Sequence, residues 1–337
     1  MRAVFAACLK ARRAPFLALA LLLAAPPPAA AETLRLGYES WVAPGPFFIA
    51  QAKGWFEEEG VSVALVNIED SRIRASALAT GEVDAITANI DEAILNLGGE
   101  GKLRFAFAIA ESRGGDGLVA LNEIETVAGL KGKRVAVQPG GSRQFYLNAL
   151  LREAGLNETD LTILAMAPGE AGLAFERGEV DAAVTWQPWL DRTAGMAHGR
   201  VLTDSAGQPG LLVEMVVARA GVLEARRSEF QALYRAWLRA IEWAKANPSD
   251  SAKLIAEGVG RWLRNEEVVQ DMRAGVAYYD EAMNREFFGS AAEPGRLDAT
   301  VASAIAIWSG FGKLQTVASP ADLIDRTIVE TKKAGAE

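Results

Sequence analysis

The chain runs to 337 residues, 50% of them hydrophobic; that exceeds what one hydrophobic core usually organises, so two lobes are the expected architecture. Its 43 Asp and Glu outnumber 35 Lys and Arg, a formal charge of -8, which makes nucleic acid a poor partner. One cysteine, Cys8, and one histidine, His198, exclude a disulfide framework and a histidine-rich metal site.

Residues 1–31 read as a signal peptide. Arg2, Lys10, Arg12 and Arg13 precede the apolar stretch Ala14 to Ala25, and Pro26-Pro27-Pro28-Ala29-Ala30-Ala31 supplies the small residues of a cleavage site. A bilayer span takes roughly 20 apolar residues, more than this stretch offers, so export to the periplasm with cleavage near Ala31 is expected. Arg12-Arg13 ahead of Phe16-Leu17 partly matches a twin-arginine signal, but Pro15 interrupts it and ordinary secretion is preferred. Cys8 leaves with this segment, so the mature chain has no thiolate metal site and no thiol nucleophile. Four basic and no acidic side chains leave too; 31 Lys and Arg then face 43 Asp and Glu, a formal charge of -12.

From there the pattern alternates: strand Leu34 to Tyr38, helix Phe47 to Glu59, strand Val61 to Ile68, helix Ser71 to Thr80, strand Val83 to Ala88. The same order returns as strand Arg134 to Gln138, helix Ser142 to Ala154, strand Leu161 to Met166, helix Gly169 to Arg177 and strand Val180 to Trp186. Inside the repeat lies an echo, Gly81-Glu82-Val83-Asp84-Ala85 and Gly178-Glu179-Val180-Asp181-Ala182, each reading as a glycine that ends a helix and a strand that follows. Strands alternating with helices imply an α/β protein with parallel sheets covered on both faces. The apolar segments Gly117 to Leu121 and Leu211 to Ala218 are expected to carry the chain between lobes, dividing it into 32–118 plus 214–337 and 119–213. Beyond Glu229, Phe230, Leu233, Tyr234, Trp237, Leu238 and Ile241 recur at helical spacing until Asn247-Pro248 breaks the run. These aromatics are read as packing residues, and His198, in a polar stretch, as a surface residue.

Four pieces resemble the nitrate/sulfonate/taurine branch of periplasmic binding proteins, a family that also holds binding proteins for thiamine-precursor pyrimidines. They are Gly37-Tyr38-Glu39-Ser40-Trp41 with Pro44 to Ala50, Lys53-Gly54-Trp55-Phe56-Glu57, the echo at Gly81 to Ala85, and Leu130 to Val137 with the later Thr185-Trp186-Gln187-Pro188-Trp189. The resemblance spans about residues 33 to 320. It implies the type II periplasmic-binding-protein fold, two α/β lobes joined by two crossover strands with a small ligand in the cleft. It also implies an extracytoplasmic solute-binding protein of an ABC importer, partnered by a permease and ATPase complex, monomeric, without cofactor and not an enzyme. The rivals are a sensory ligand-binding module and an enzyme of the same fold that makes the thiamine pyrimidine or builds tetrapyrroles. The first of those chemistries is associated with histidine and the second with a cysteine-held cofactor, both scarce here.

Ligands of open α/β sheets lie off the carboxyl ends of strands, near helix N-termini. The candidates are therefore Glu39, Ser40 and Trp41, which could equally form a surface turn, and Asn89 with Asp91, which could cap the next helix, contact ligand or do both. In the second lobe Gly140-Gly141-Ser142-Arg143 suits a ligand oxygen bound by backbone amides, with Ser142 or Arg143 assisting. Trp186 and Trp189 read either as core or as apolar walls. Carboxylates recur at Glu39, Asp91, Glu111, Asp116 and Glu214, against Arg113 and Arg143. That balance disfavours a pure anion and suits a nitrogen cation or a zwitterion such as a taurine-like aminosulfonate.

Overall fold

The computed structural model describes residues 32–97, 102–260, 265–314 and 318–330; the expected signal peptide, with Cys8, lies outside them. Two sheets organise these residues. In the first, β1 (Leu34–Tyr38) pairs in parallel with β2 (Val63–Asn67) and β3 (Ala85–Asn89), and β3 is followed by β10 (Val213–Arg219), β4 (Leu103–Ser112) and β11 (Val276–Tyr278), each antiparallel to its neighbour. In the second, β6 (Arg134–Val137) pairs in parallel with β7 (Thr162–Ala165) and β8 (Ala182–Trp186), and β8 is followed antiparallel by β5 (Asp116–Leu121) and β9 (Gly199–Asp204). The expected parallel sheets are thus mixed. Each takes its fourth strand from chain that has just left the other sheet.

The echo has a chemical reason. Asp84, one residue before β3, accepts the backbone N–H of Arg35 on β1 at 2.9 Å and is held from the side by the Arg35 guanidinium at 2.9 and 3.1 Å. Asp181, one residue before β8, does the same with Arg134 on β6: backbone N–H at 2.8 Å, guanidinium at 2.8 and 3.3 Å. Gly81, at φ 88°, closes the preceding helix, Ser71–Thr80, and turns the chain so that the aspartate reaches the neighbouring strand. Gly178, at φ 70°, makes the corresponding turn.

The passages between sheets differ from expectation. Gly117 to Leu121 lies inside β5, paired on both sides, and most of Leu211 to Ala218 lies inside β10, also paired on both sides. The chain crosses at 113–115 and 205–212 instead. A run such as Gly-Leu-Val-Ala-Leu is what a strand buried on both faces looks like, so its apolar character marks a sheet interior rather than a link.

The helix expected over Phe47 to Glu59 is two, Gly45–Ala52 and Trp55–Glu58, separated at Gly54, whose φ of 71° is left-handed. The long helix Arg227–Ala246 buries Phe230, Leu233, Tyr234, Trp237 and Ile241, and Pro248 opens the next helix. Trp237 lies 4.7 Å from Phe47, and Tyr234 4.9 Å from Phe107 of β4, so these aromatics build the core over the first sheet. His198 is exposed, its ring 5.5 Å from Phe175. Among the described residues no helix is long and apolar enough to cross a membrane.

Candidate functional site

The strand ends of both sheets meet at a cavity of about 20 Å³, room for roughly one water. From the first lobe it is lined by Glu39 and Trp41 after β1, Asn89 at the end of β3, Glu111 and Ser112 at the end of β4, and Glu214 on β10; from the second, by Asp116 of β5 and by Ser142 and Arg143, which open the helix Ser142–Glu153. Glu214 and Asn89 stand opposite each other in the β3–β10 register.

Four of the expected site residues do not line this cavity. Ser40 is buried behind it, its hydroxyl donating to Glu69 at 2.5 Å and accepting from Asn67 at 3.1 Å. Asp91 is the second residue of the helix Ile90–Leu97, two places past its N-cap position, and accepts from the Ser142 hydroxyl of the other lobe at 3.1 Å. Trp186 stacks on Trp41 across the lobes, with the Arg143 guanidinium 4.2 Å from its ring. Trp189 is turned the other way: an added methyl on Gly169 would lie 3.1 Å from its indole nitrogen, and the Arg192 guanidinium lies 5.7 Å from its ring.

The helix N-terminus expected to cradle a ligand oxygen is already served by the protein. The Gly140 N–H donates to Gln144 Oε1 at 2.7 Å, and the Ser142 N–H points to Glu92 Oε1 of the first lobe at 3.4 Å. A carboxylate is favourable there because free N–H groups and the helix dipole both attract negative charge.

Two residues were not singled out from the sequence, Glu92 and Arg74. Arg74 is 1% exposed; its Nε donates to the Thr87 carbonyl at 2.9 Å and its Nη1 to the Ile68 carbonyl at 2.7 Å, while Nη2 lies 3.5 Å from Glu39 and 3.6 Å from Glu92. The available signal was its place three and four residues before Ala77 and Leu78, on the buried stripe of the helix Ser71–Thr80.

The remaining arginines are spoken for. Arg143 Nε stands 3.0 Å from Asp116 Oδ1, an ion-pair approach without hydrogen-bond alignment. Arg113 pairs with Glu111, which also accepts from the Tyr279 hydroxyl at 3.0 Å. Glu39, Glu92, Glu214 and Glu69 surround Arg74, and Asp91 faces Arg143. Burial, then Glu92, raises Asp91 well above the ordinary carboxylate range; burial, then Glu39, raises Glu92. The same two causes push Glu214 up to about 8. Glu214 is 4% exposed, and its Oε1 has no hydrogen-bond partner within the protein. Among the described residues no group of three or more His, Cys, Asp or Glu is arranged to hold a metal ion.

Known proteins share this architecture. The chain is 28% identical over 242 residues, 67% of its length and 69% of the other's, to a protein of Bacillus subtilis (strain 168) described as aliphatic sulfonates-binding. It is 27% identical over 226 residues, 65% of its length and 69% of the other's, to the taurine-binding periplasmic protein of Escherichia coli (strain K12). The crystal structure of the periplasmic aliphatic sulphonate binding protein of Escherichia coli superposes with a TM-score of 0.70 at 20% identity, over 89% of this chain and 99% of that one. The fold is therefore the type II periplasmic-binding-protein fold, two α/β lobes. A family model described as NMT1/THI5 like matches residues 43–251, well over half the chain, and the protein belongs to that family.

Proposed function

We propose that this chain is the extracytoplasmic solute-binding protein of an ABC importer, which closes two lobes around one small sulfonate/taurine-like or nitrogen-containing organic molecule and presents it to a permease and ATPase complex. It acts as a monomer, in the periplasm, and releases its solute unchanged. The reading rests above all on a cavity lined from both lobes and shut by contacts that cross it, Trp41 on Trp186 and Ser142 on Asp91. The names of its relatives support the same role. The first sheet with its helices forms one moving body and the second sheet with its helices the other, pivoting at the crossings 113–115 and 205–212, close to the divisions expected at 118 and 213, while each sheet stays rigid. Glu39, Trp41, Asn89, Asp116, Ser142, Arg143 and Glu214 meet the solute; Ser40 and Asp91 brace them, and Trp186 backs Trp41.

The test is a thermal-shift screen of the chain from Glu32 onward against sulfonates, amines, guanidines, ureas and pyrimidines. A solute at a hundred times its Kd should stabilise the protein by about 2.7 kcal/mol, and solution scattering should report a more compact particle with it. If no small molecule raises the melting temperature and a protein partner does, the transport reading is wrong.

A further inference from the structure

We infer that the solute carries a nitrogen cation, ammonium or guanidinium, which Glu214 and Glu39 take between them in exchange for a proton. This rests on the solute-binding reading and names the class of solute.

Three observations converge. First, charge at the cavity is unbalanced in one direction. Arg113 is paired with Glu111 and Arg143 lies against Asp116, so Arg74 and the shared Arg143 are the cations left for Glu39, Asp91, Glu92 and Glu214. Second, Glu214 lines the cavity with a buried Oε1 that no protein group satisfies. A buried acceptor without a partner is unfavourable, and a donor on the solute removes that penalty. Third, the helix N-terminus where an anionic group would dock is filled by Glu92 and Gln144 from the protein itself. A sulfonate arriving there would displace an internal carboxylate and meet several more. A cation meets Glu39, Glu214 and the face of Trp41, and cation–π contact adds to the attraction.

The groups around Glu214 fix the direction of the exchange. Asn89 faces it from β3 and Glu111 stands one residue beyond its partner Ala110 on β4. Thr87 stands beside it on β3. Glu39 and Glu92 approach from the first lobe's loop and helix, against Arg74 of that lobe; Asp116 and Arg143 line the cavity from the second lobe, and Tyr278 comes from β11, itself beside Arg273. Negative charge predominates, so without solute Glu214 keeps a proton to about pH 8. A bound cation supplies the positive charge and the proton leaves.

The experiment is isothermal calorimetry at pH 6.0, 7.0 and 8.0, in buffers of different ionisation enthalpy, with taurine, ethanesulfonate, ethylammonium and ethylguanidinium as probes. At least one amine- or guanidine-bearing probe should bind at least tenfold tighter than ethanesulfonate, tighten about tenfold for each unit that the pH rises from 6 toward 8, and release about one proton at pH 6. Glu214→Gln should abolish the release and weaken binding more than tenfold; Glu214→Asp, which keeps the charge, should recover part of both. Circular dichroism of each variant establishes that it is folded, and Glu39→Gln repeats the test at the second carboxylate. Ethanesulfonate binding as tightly as taurine, independent of pH and indifferent to Glu214→Gln, would overturn the cation assignment and leave solute binding intact. Failure of all four probes and of the whole thermal-shift panel would overturn both.

Discussion

Trp41 and Trp186 lie face to face across the cleft, ring centroids 4.7 Å apart and planes within 5° of parallel. One belongs to the loop after β1 and the other ends β8, so the stack exists only when the two lobes are together. A double-mutant cycle with Trp41→Ala and Trp186→Ala should give a coupling of about 0.5–1.5 kcal/mol in denaturant stability. Solution scattering should show either single variant populating a more open particle. A coupling near zero would mean that the lobes are held by other contacts.

Arg74 is a buried counter-charge to Glu39, Glu92 and Glu214. Replacing it by Met should cost about 3–5 kcal/mol near pH 7.5, because a buried charge without its partner is strongly unfavourable. The loss should shrink toward pH 5, because Glu92, raised above the ordinary carboxylate range, takes up its proton sooner than an exposed carboxylate and leaves less charge to balance. Urea unfolding at the two pH values measures both. An equal loss at both would assign Arg74 to packing and to its carbonyl hydrogen bonds alone.

For Glu214 the sign runs against the usual acid denaturation. The folded state holds its proton up to about pH 8, whereas an ordinary glutamate carboxyl releases it near 4.5, so stability falls as pH rises through that window. Glu214→Gln keeps the shape and removes the ionisation. The variant should melt higher than the parent at pH 8, match it near pH 4.5, and show a flatter profile between. The residue then weakens the fold in order to serve the site, a trade that melting curves across pH 4.5–8 detect directly.

The two aspartates of the echo behave in the opposite way. Burial opposes the charge of Asp84, and the hydrogen bonds from Arg35 outweigh it; Asp181 is lowered chiefly by Arg134. Both contributions are present at neutral pH and fade as pH falls below the ordinary aspartate range, through the lower folded values. Asp84→Ala should cost about 2 kcal/mol at pH 7. Asp181→Ala should cost less, since the Arg134 side chain is 47% exposed against 38% for Arg35 and Asp181 19% against 8% for Asp84. Chemical denaturation of the two variants at pH 7 and pH 3 checks the order and the sign.

The α/β organisation could be read from the chain because it is written in short range: the echo puts glycine at a helix end and aspartate at a strand start. The positions of Glu39, Asn89, Asp116, Ser142, Arg143 and Glu214 at one cavity follow from strand ends, which a period-two pattern locates well. What escaped depends on contacts remote in sequence. Arg74 looks like any helix arginine beside the exposed Arg72 until Glu39 and Glu92 are brought to it. Gly117 to Leu121 looks like a link until β8 and β9 are found on either side. Trp189 sits three residues after Trp186, yet Pro188 and the short helix behind it aim its ring elsewhere.

The arginine–aspartate lock occurs once in each half, while the residues at the matching strand ends do not match: Asn89 closes β3 where Trp186 closes β8. A chimera in which the first half replaced the second would keep both locks and stand as a scaffold, but its cleft would carry acid on both walls and lose Arg143 and Trp186. Recognition in this molecule is accordingly a property of the difference between the copies, and sequence drift in its descendants can retune the solute on one wall without touching what keeps either copy folded.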